Sequence, residues 1–563
     1  MFLAIEFCLT TLCVALAFFC PELANSWFSR FERRFAIFAE KRMVAVISVG
    51  ILALGARLAL LPILPIPEPG IHDEYSHLLL ADTLAHGRLS NPTHPMWVHF
   101  ETFHVNWKPT YASMYFPGQA VFLALGQVVF GHPFWGVWLS VGLMCAAICW
   151  ALQAWLPPSW ALLGGLLALI RLGTFSYWAN GYWGGAVPAL GGALVLGSLP
   201  RIKGDQRIRN SLLLGLGTAL LLSTRPYESL FFLLPTAVAL VVWIFRATHV
   251  SWRSSFVLTR VIIPAGLVVL LSTGALAYYF WRVTGSPWTT PYKINMATYG
   301  LVYFPWDKIV HITYRFPALQ DFYRGGAVLG MYRFAREHPI ELLLAKASTM
   351  WLFYFGPVLT LPLIAAVATR DNSSHTSRET KFLLVTCATT FLALALIVYV
   401  GHPHYLAPLT TAFYALVLIA MRSLRGWKWG TRASGMFLVR TVPVICLMMF
   451  LARIAAPLAH ASNRYSGIRT WSSEDRENLA RARIMKQLQN LPGDHLVIVR
   501  YAADHDFILD EWVFNNADID GSKVIWARDM GAQNVELLQY FNQRRVWLLE
   551  PDYNPPRVSR YAQ

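Results

Sequence analysis

The stretch Pro65-Ile-Pro-Glu-Pro-Gly-Ile-His-Asp-Glu-Tyr75 follows directly on an apolar run at residues 43–65. That run can cross a membrane as a helix, since a crossing needs roughly 20 apolar residues. Comparable runs recur along the 563-residue chain, which is 56% hydrophobic and 14% charged. A soluble protein carries about 25% charged residues. The composition therefore indicates an integral, multi-pass membrane protein.

The apolar runs predict an all-α polytopic domain of about twelve transmembrane helices. Short basic loops such as 201–209 are expected in the cytoplasm, because Lys and Arg favour that side. The chain then divides into an N-terminal membrane anchor with a basic cytoplasmic segment (1–42), a transmembrane domain (43–458) with outer loops 66–117 and 282–338, and a small soluble α/β domain on the outer side (459–563).

Two features of the sequence refine this architecture. Segment 159–177 contains Arg171 and is expected to fall short of a full span, because an odd number of crossings is needed there. It runs into Tyr177-Trp-Ala-Asn-Gly-Tyr-Trp-Gly-Gly185, which is either a cavity wall or a site of close helix packing. In the tail, short apolar runs predict three buried strands, at 496–501, 523–526 and 546–549.

Charge and cysteine content exclude some classes of partner. The net charge of +16 is explained by basic cytoplasmic loops, so no nucleic-acid partner is expected. The seven cysteines lie in apolar runs without metal-ligand spacing. We therefore expect no cofactor; a divalent metal stays open, but no ligand spacing indicates one.

The adjacent carboxylates Asp73 and Glu74 follow His72 at the start of a helical pattern over residues 75–87, which is expected to lie along the membrane surface. Acidic residues in a first turn favour the positive end of the helix dipole, and this is one explanation for them. The other is catalysis, since a carboxylate at this place is a candidate general base.

Ionisable residues also break the apolar pattern at Ser223-Thr-Arg-Pro-Tyr-Glu228. Such residues are expensive at membrane depth and often functional, so Arg225 is expected either to contact a phosphate or to pair with Glu228. His402 and His404 lie close together in the segment Gly401-His-Pro-His-Tyr405, but two histidines without a third ligand are weak evidence for a metal. The further candidates for substrate binding are His72, Lys108, Tyr111, Tyr115, Gln119, Tyr227, Glu228, Tyr292, Lys293, His402 and His404.

In this layout the chain resembles the type C (GT-C) glycosyltransferases, in particular the family 39 protein O-mannosyltransferases and the aminoarabinose-transferase-like enzymes. The likeness covers about residues 43–245, and it is carried by His72-Asp73-Glu74, the helix that includes residues 81–89, and Pro117-Gly-Gln119 before the next span. The resemblance implies that Asp73 is the catalytic base, that Glu74 assists it, and that a sugar is transferred from a polyprenyl phosphate with inversion.

We therefore expect a hexosyltransferase-like enzyme of the bacterial inner (plasma) membrane whose catalytic loops and C-terminal domain are extracytoplasmic. Its acceptor is a hydroxyl or amine of a glycan, a lipid or a protein. A polytopic transporter is one alternative, although transporters place binding groups near the midplane. An O-antigen ligase- or polymerase-like enzyme is the other, favoured by His402, His404 and the 282–338 loop, whereas the early Asp-Glu pair favours the transferase.

Overall fold

The computed structural model of the protein describes residues 1–248, 255–368, 377–458, 469–473, 477–507 and 510–561. Helices dominate this part of the chain. The first ten are α1 (Phe2–Phe19), α2 (Asn25–Glu40), α3 (Arg42–Ala59), α4 (His72–Ala85), α5 (Pro117–Phe130), α6 (Phe134–Leu152), α7 (Pro158–Leu172), α8 (Ala186–Asp205), α9 (Ile208–Thr224) and α10 (Pro226–Thr248). The others are α11 (Ile263–Thr284), α12 (Pro291–Tyr299), α13 (Pro317–Arg324), α14 (Met331–Glu337), α15 (Pro339–Tyr354), α16 (Gly356–Ala368), α17 (Arg378–Leu396), α18 (Thr410–Leu424), α19 (Ser434–Leu458), α20 (Leu479–Asn490) and α21 (Asn534–Tyr540).

Local sequence explains where many helices begin. Helices α5, α7, α10, α12, α13 and α15 all start at a proline. Proline is favoured at the first helical position because its fixed φ suits the helix and its missing N–H has no partner there in any case. A proline therefore marks the residue at which each of these six helices begins.

Eight helices within the described residues are long and apolar enough to cross a membrane, or nine if α15 and α16 form one span. Helices α5, α7 and α9 are apolar but shorter. Helix α8 packs inside the bundle and buries residues on nearly every side. The prediction of a polytopic helical protein is therefore confirmed.

Two segments show where hydropathy alone is insufficient. By hydropathy residues 340–366 form one apolar run that predicts a single span, but α15 and α16 meet at an angle of 101°. The bend lies at Gly356, whose φ of +58° suits glycine. Helix α7 ends after 15 residues, shorter than a full crossing, as expected for 159–177. The following stretch up to Gly185 is irregular and almost wholly buried.

The first outer loop folds around α4. A short antiparallel pair, β1 (Val105–Asn106) and β2 (Ala112–Ser113), lies against this helix. Nine of the fourteen residues of α4 are buried, including Leu79 and Leu80. The rest of the loop and the C-terminal domain therefore cover this helix, and its position along the membrane surface stays a prediction.

The C-terminal domain has a four-stranded sheet in the order β4-β3-β5-β6, formed by β3 (His495–Val499), β4 (Val524–Arg528), β5 (Arg545–Glu550) and β6 (Arg557–Arg560). The pairs β3–β4 and β3–β5 are parallel, and β5–β6 is antiparallel. The three predicted strands are confirmed. The short edge strand β6, which is only partly buried, was missed. The predicted domain boundary at 459 lies outside the described residues.

This domain packs directly on the first outer loop. The ring of Phe514 stacks on Tyr75 of α4 with centroids 4.3 Å apart. The Asp82 carboxylate accepts a hydrogen bond from the Ala517 amide at 2.9 Å. The Tyr111 hydroxyl donates to the Asn515 carbonyl at 3.0 Å. The C-terminal domain therefore helps to fix the loop that carries the acidic pair.

A buried ion pair attaches the N-terminal helix to the bundle. Arg171 of α7 donates to Glu6 of α1 at 3.0 Å, and the two side chains are 0% and 2% exposed. The Trp471 indole also donates to Glu6, at 3.3 Å. Because lipid offers no alternative partner, each charge depends on the other.

We expect Arg171→Met to destabilise the protein by about 3–5 kcal/mol, since it leaves the Glu6 charge buried without its partner. The double variant Glu6→Leu/Arg171→Met should recover much of the loss. Thermal unfolding in detergent measures this, with the exposed Glu40→Gln as the control. Equal destabilisation by the single and double variants would contradict the coupling.

Candidate active site

Adjacent positions on α4 send the two carboxylates in different directions. Successive residues of a helix are turned by about 100°. Glu74 turns inward, where its oxygens accept hydrogen bonds from the amides of Gly70 at 3.0 Å and Tyr182 at 2.7 Å. Asp73 instead lines a cavity. Only one member of the acidic pair therefore faces a space that a substrate could fill.

Asp73 is held by three side chains of the first outer loop. The Tyr115 hydroxyl donates a hydrogen bond to Oδ1. His104 Nδ1 lies 3.6 Å from the same oxygen, and His72 Nε2 lies 3.4 Å from Oδ2. His104 Nδ1 is also 2.9 Å from the Tyr115 hydroxyl. This network fixes the carboxylate before any ligand binds.

The network decides the charge of Asp73. Burial by itself raises the pKa of this carboxyl, but His104, His72 and the Tyr115 hydrogen bond outweigh it and hold the pKa below its usual range. Burial and the neighbouring His72 lower the pKa of His104 to about 3, despite the opposing effect of Asp73. At neutral pH the site therefore contains an ionised carboxylate beside a neutral imidazole, and the ionised form is the one that can accept a proton.

The cavity has a volume of about 290 Å³. Its walls come from α4, the start of α5, the irregular stretch before α8, the α9–α10 turn and the second outer loop. Eight of its nineteen lining residues are aromatic, namely Tyr115, Phe116, Trp183, Tyr227, Tyr292, Tyr303, Phe304 and Tyr405. The polar members are Asp73, His77, Gln119, Thr224, Arg225 and Glu228.

Glycine is required where the irregular stretch enters α8. Gly185 has a φ of +129°, and a Cβ on this residue would lie 2.3 Å from the indole nitrogen of Trp178. Any larger side chain would displace this wall. Of the two alternatives for Tyr177–Gly185, the cavity wall holds for its last three residues, since Trp183, Gly184 and Gly185 line the cavity.

Arg225 supplies a positive charge at the cavity wall. Its guanidinium lies 4.3 Å from the centre of the Tyr405 ring. Its Nη1 is 3.7 Å from Glu228 Oε1, a separation too long for a hydrogen bond. The pair is therefore loose, and an anionic ligand could compete for the guanidinium.

His402 and His404 lie behind the wall. Their rings are 4.5 and 5.0 Å from the ring of Trp183. His402 Nδ1 is 2.7 Å from an Arg469 nitrogen, and His404 Nδ1 is 2.9 Å from the Tyr177 hydroxyl. These two histidines have separate partners, so the structure does not aim them at one ion.

Three other sequence candidates lie away from the cavity. Lys108 is exposed with Nζ 5.1 Å above the Trp97 ring, and Lys293 is exposed on α12. Tyr111 stacks on Trp107 with ring centroids 4.3 Å apart and contacts the C-terminal domain. Tyr115, Gln119, Arg225, Tyr227, Glu228 and Tyr292 do line the cavity.

Sequence reasoning missed several residues of the site. His104 has a φ of +59°, which is uncommon for a residue other than glycine, and no local sequence pattern predicts that it belongs to the site. Arg469 reaches His402 from the chain after α19, which only the fold could reveal. His77 had a usable signal, because it lies four residues after Asp73 and so shares its helix face.

His72, Asp73 and His104 could together hold a metal ion, since their ligand atoms lie within 4.8 Å of one another. Two imidazoles and a carboxylate suit zinc or a similar divalent cation. An ion there would occupy the Asp73 oxygens that now interact with Tyr115 and the two histidines. The expectation that the protein has no metal cofactor stays a prediction.

Metal analysis of the purified protein tests this prediction. Because the Tyr115 hydroxyl already donates a hydrogen bond to Asp73 Oδ1, we expect substoichiometric divalent metal after purification without chelator. His72→Ala serves as the matched variant and should give the same background. A stoichiometric ion in the wild type that is lost in His72→Ala would establish a resident metal instead.

Comparisons with protein-family models and with the sequences of curated proteins find no match. Solved structures do match. ArnT from Cupriavidus metallidurans bound to undecaprenyl phosphate is 13% identical with a TM-score of 0.47, covering 89% of this chain and 92% of that one. The Archaeoglobus fulgidus oligosaccharyltransferase AglB, with an inhibitory peptide and a dolichol-phosphate, is 10% identical with a TM-score of 0.43, covering 91% and 70%.

The chain is similar in fold to GT-C membrane enzymes. The resemblance stated from the sequence is to the same class of enzymes. The oligosaccharyltransferase tethered with an acceptor peptide, also from A. fulgidus, is 12% identical with a TM-score of 0.44. That match covers 81% of this chain and 62% of the other, so this chain spans less than two thirds of its length. At such similarity no residue role or substrate passes from these proteins to this one.

Proposed function

We propose that the protein is an inverting glycosyltransferase that moves a sugar from a polyprenyl phosphate to an acceptor hydroxyl or amine on the outer side of the membrane. The main support is Asp73, an ionised and oriented carboxylate at a cavity whose wall also carries Arg225. Solved structures of similar fold contain undecaprenyl phosphate or a dolichol-phosphate, and a carrier of this kind is the proposed donor.

The reaction needs one base and one cation. Asp73 takes the proton from the acceptor group while that group forms a bond to the anomeric carbon. The bond from this carbon to the phosphate oxygen breaks, and the phosphate leaves without protonation. Arg225 stabilises the charge that grows on the phosphate, since its pairing with Glu228 is loose. A single displacement of this kind inverts the anomeric centre.

The role proposed for Glu74 is to hold the backbone around Asp73 rather than to contact the substrate. Its two oxygens hold the backbone amides of Gly70 and Tyr182, which join the start of α4 to the irregular wall. This ties the helix that presents Asp73 to the stretch that carries Trp183. We therefore propose that Glu74 assists the base by fixing its surroundings.

The cavity favours a small donor sugar. Its volume of about 290 Å³ is at the lower end for ligand sites, which usually measure about 300–1,000 Å³. The aromatic lining offers flat apolar faces to the C–H groups of a sugar ring. His402 and His404 lie behind Trp183, so the ligase- or polymerase-like alternative draws less support from them.

The proposal is tested with Asp73→Asn in proteoliposomes that contain radiolabelled undecaprenyl-phosphate hexoses. Loss of the base should lower donor turnover by about 10²–10⁴-fold while donor binding persists. Asp321→Asn, an exposed carboxylate of the second outer loop, is the matched control and should retain turnover.

Equal turnover by the wild type and Asp73→Asn would show that Asp73 is not the base and only stabilises the start of the helix. If the wild type binds no polyprenyl-phosphate sugar, the transferase proposal fails. Measurement of substrate flux across the same vesicles would then test the transporter alternative.

The pH dependence gives a second test through Tyr115→Phe. The Tyr115 hydroxyl stabilises ionised Asp73 and so lowers its pKa. Its removal should raise that pKa, and the acid limb of the kcat/KM profile should move to higher pH by about one unit.

The alkaline limb of the profile should stay in place. Tyr540→Phe, in the C-terminal domain and exposed, is the control. An unchanged acid limb in Tyr115→Phe would show that Asp73 is not the group that controls it.

A further inference from the structure

His77 lies one helical turn after Asp73 on α4 and lines the same cavity. Its side chain is buried, and its ring stacks on Tyr115 with centroids 4.5 Å apart and an interplanar angle of 20°. Residues four apart on a helix are neighbours on one face. The imidazole is therefore held in a fixed plane beside the Tyr115–Asp73 hydrogen bond.

Two polar atoms at this wall lack partners. The Nδ1 atom of His77 is buried without a hydrogen-bond partner among the described residues. Gln119 Oε1 is also buried without a hydrogen-bond partner among the described residues. The Nε2 atom of the same side chain donates a hydrogen bond to the Tyr182 carbonyl at 3.3 Å. Native proteins rarely leave buried polar atoms unpaired. Both residues line the cavity, so a rotation of either side chain would offer its unpaired atom to a ligand there.

The charge state of His77 restricts the chemistry of that ligand. Burial lowers the pKa of His77 to about 3, with Arg225 acting in the same direction and Asp73 opposing both. A neutral imidazole has one donor and one acceptor nitrogen, and Gln119 Oε1 is an acceptor. This pattern suits hydroxyl groups, which both donate and accept.

The position of His77 relates it to the donor rather than to the acceptor. Asp73, His77 and Arg225 all line the same cavity, so the ring borders the space that the base and the cation share. The transferred sugar must lie between these two groups, because its anomeric carbon is attacked on one side and loses phosphate on the other.

We infer that His77 and Gln119 form a subsite for the hydroxyl groups of an uncharged donor sugar. This inference rests on the proposed function and names its substrate class. Bare polyprenyl phosphate fills the Arg225 side only and leaves the subsite empty. A uronic acid brings a charge for which His77 and Gln119 offer no countercharge.

The test measures the dissociation constants of three probes in detergent by microscale thermophoresis. The probes are undecaprenyl phosphate, its neutral hexose esters with glucose and mannose, and its glucuronic acid ester. The wild type should bind a neutral hexose ester about tenfold more tightly than the bare carrier. It should show no such gain for the glucuronic acid ester.

His77→Phe keeps a ring that can stack on Tyr115 but removes both nitrogens. It should abolish the gain for the hexose ester and leave affinity for the bare carrier unchanged. The matched control is His86→Phe, an exposed histidine at the end of the same helix, which should keep the gain. His77→Gln restores a side chain that can hydrogen-bond and should recover part of it, even if His77→Phe fails to fold.

The outcomes separate the two proposals. If the wild type binds the bare carrier but gains nothing from a neutral hexose, or prefers glucuronic acid, the subsite is wrong and the carrier assignment stands. The subsite is equally wrong if folded His77→Phe keeps the gain, or if His77→Gln loses affinity for all probes alike. If the wild type does not bind even the bare carrier, the proposed function fails and the subsite assignment falls with it.

Discussion

A buried carboxylate must be compensated, and the first outer loop folds around this requirement at Asp73. Its partners come from separate points of the loop: His72 precedes it on α4, His104 lies next to β1, and Tyr115 stands just before α5. Burial of an unpaired charge is strongly unfavourable, so these segments can pack together only if the network forms. The network that stabilises the loop also holds the carboxylate ready to accept a proton.

The C-terminal domain completes this arrangement from outside. Phe514 stacks on Tyr75, and Asp82 accepts the Ala517 amide, so the outer faces of α4 are covered. Below the helix, Glu74 binds the Tyr182 amide and connects α4 to the irregular wall. The cavity lies where these layers meet, and its lining combines the charged residues Asp73 and Arg225 with the neutral polar residues His77 and Gln119. This division fits a substrate that has an anionic phosphate at one end and an uncharged sugar at the other.

Local patterns in the sequence were enough to predict the architecture. A helix that crosses a membrane needs a long apolar run, and such a run can be identified directly from consecutive residues of the sequence. Buried strands of the tail were equally visible as short apolar runs. The acidic pair at Asp73 and Glu74 was identified because it directly follows such a run. The bend at Gly356 could not be predicted in this way, because both halves of the segment are apolar and hydropathy does not report the angle between two helices.

The sequence by itself therefore determined the membrane class, the order of the parts and the loop that contains the candidate site. Only the tertiary structure decided that Asp73 faces the cavity while Glu74 binds backbone amides, because neighbouring residues of a helix point in different directions. It also brought His104 to Asp73 and placed Lys108 outside the cavity. Such contacts depend on how distant segments pack, and no pattern of neighbouring residues encodes that packing.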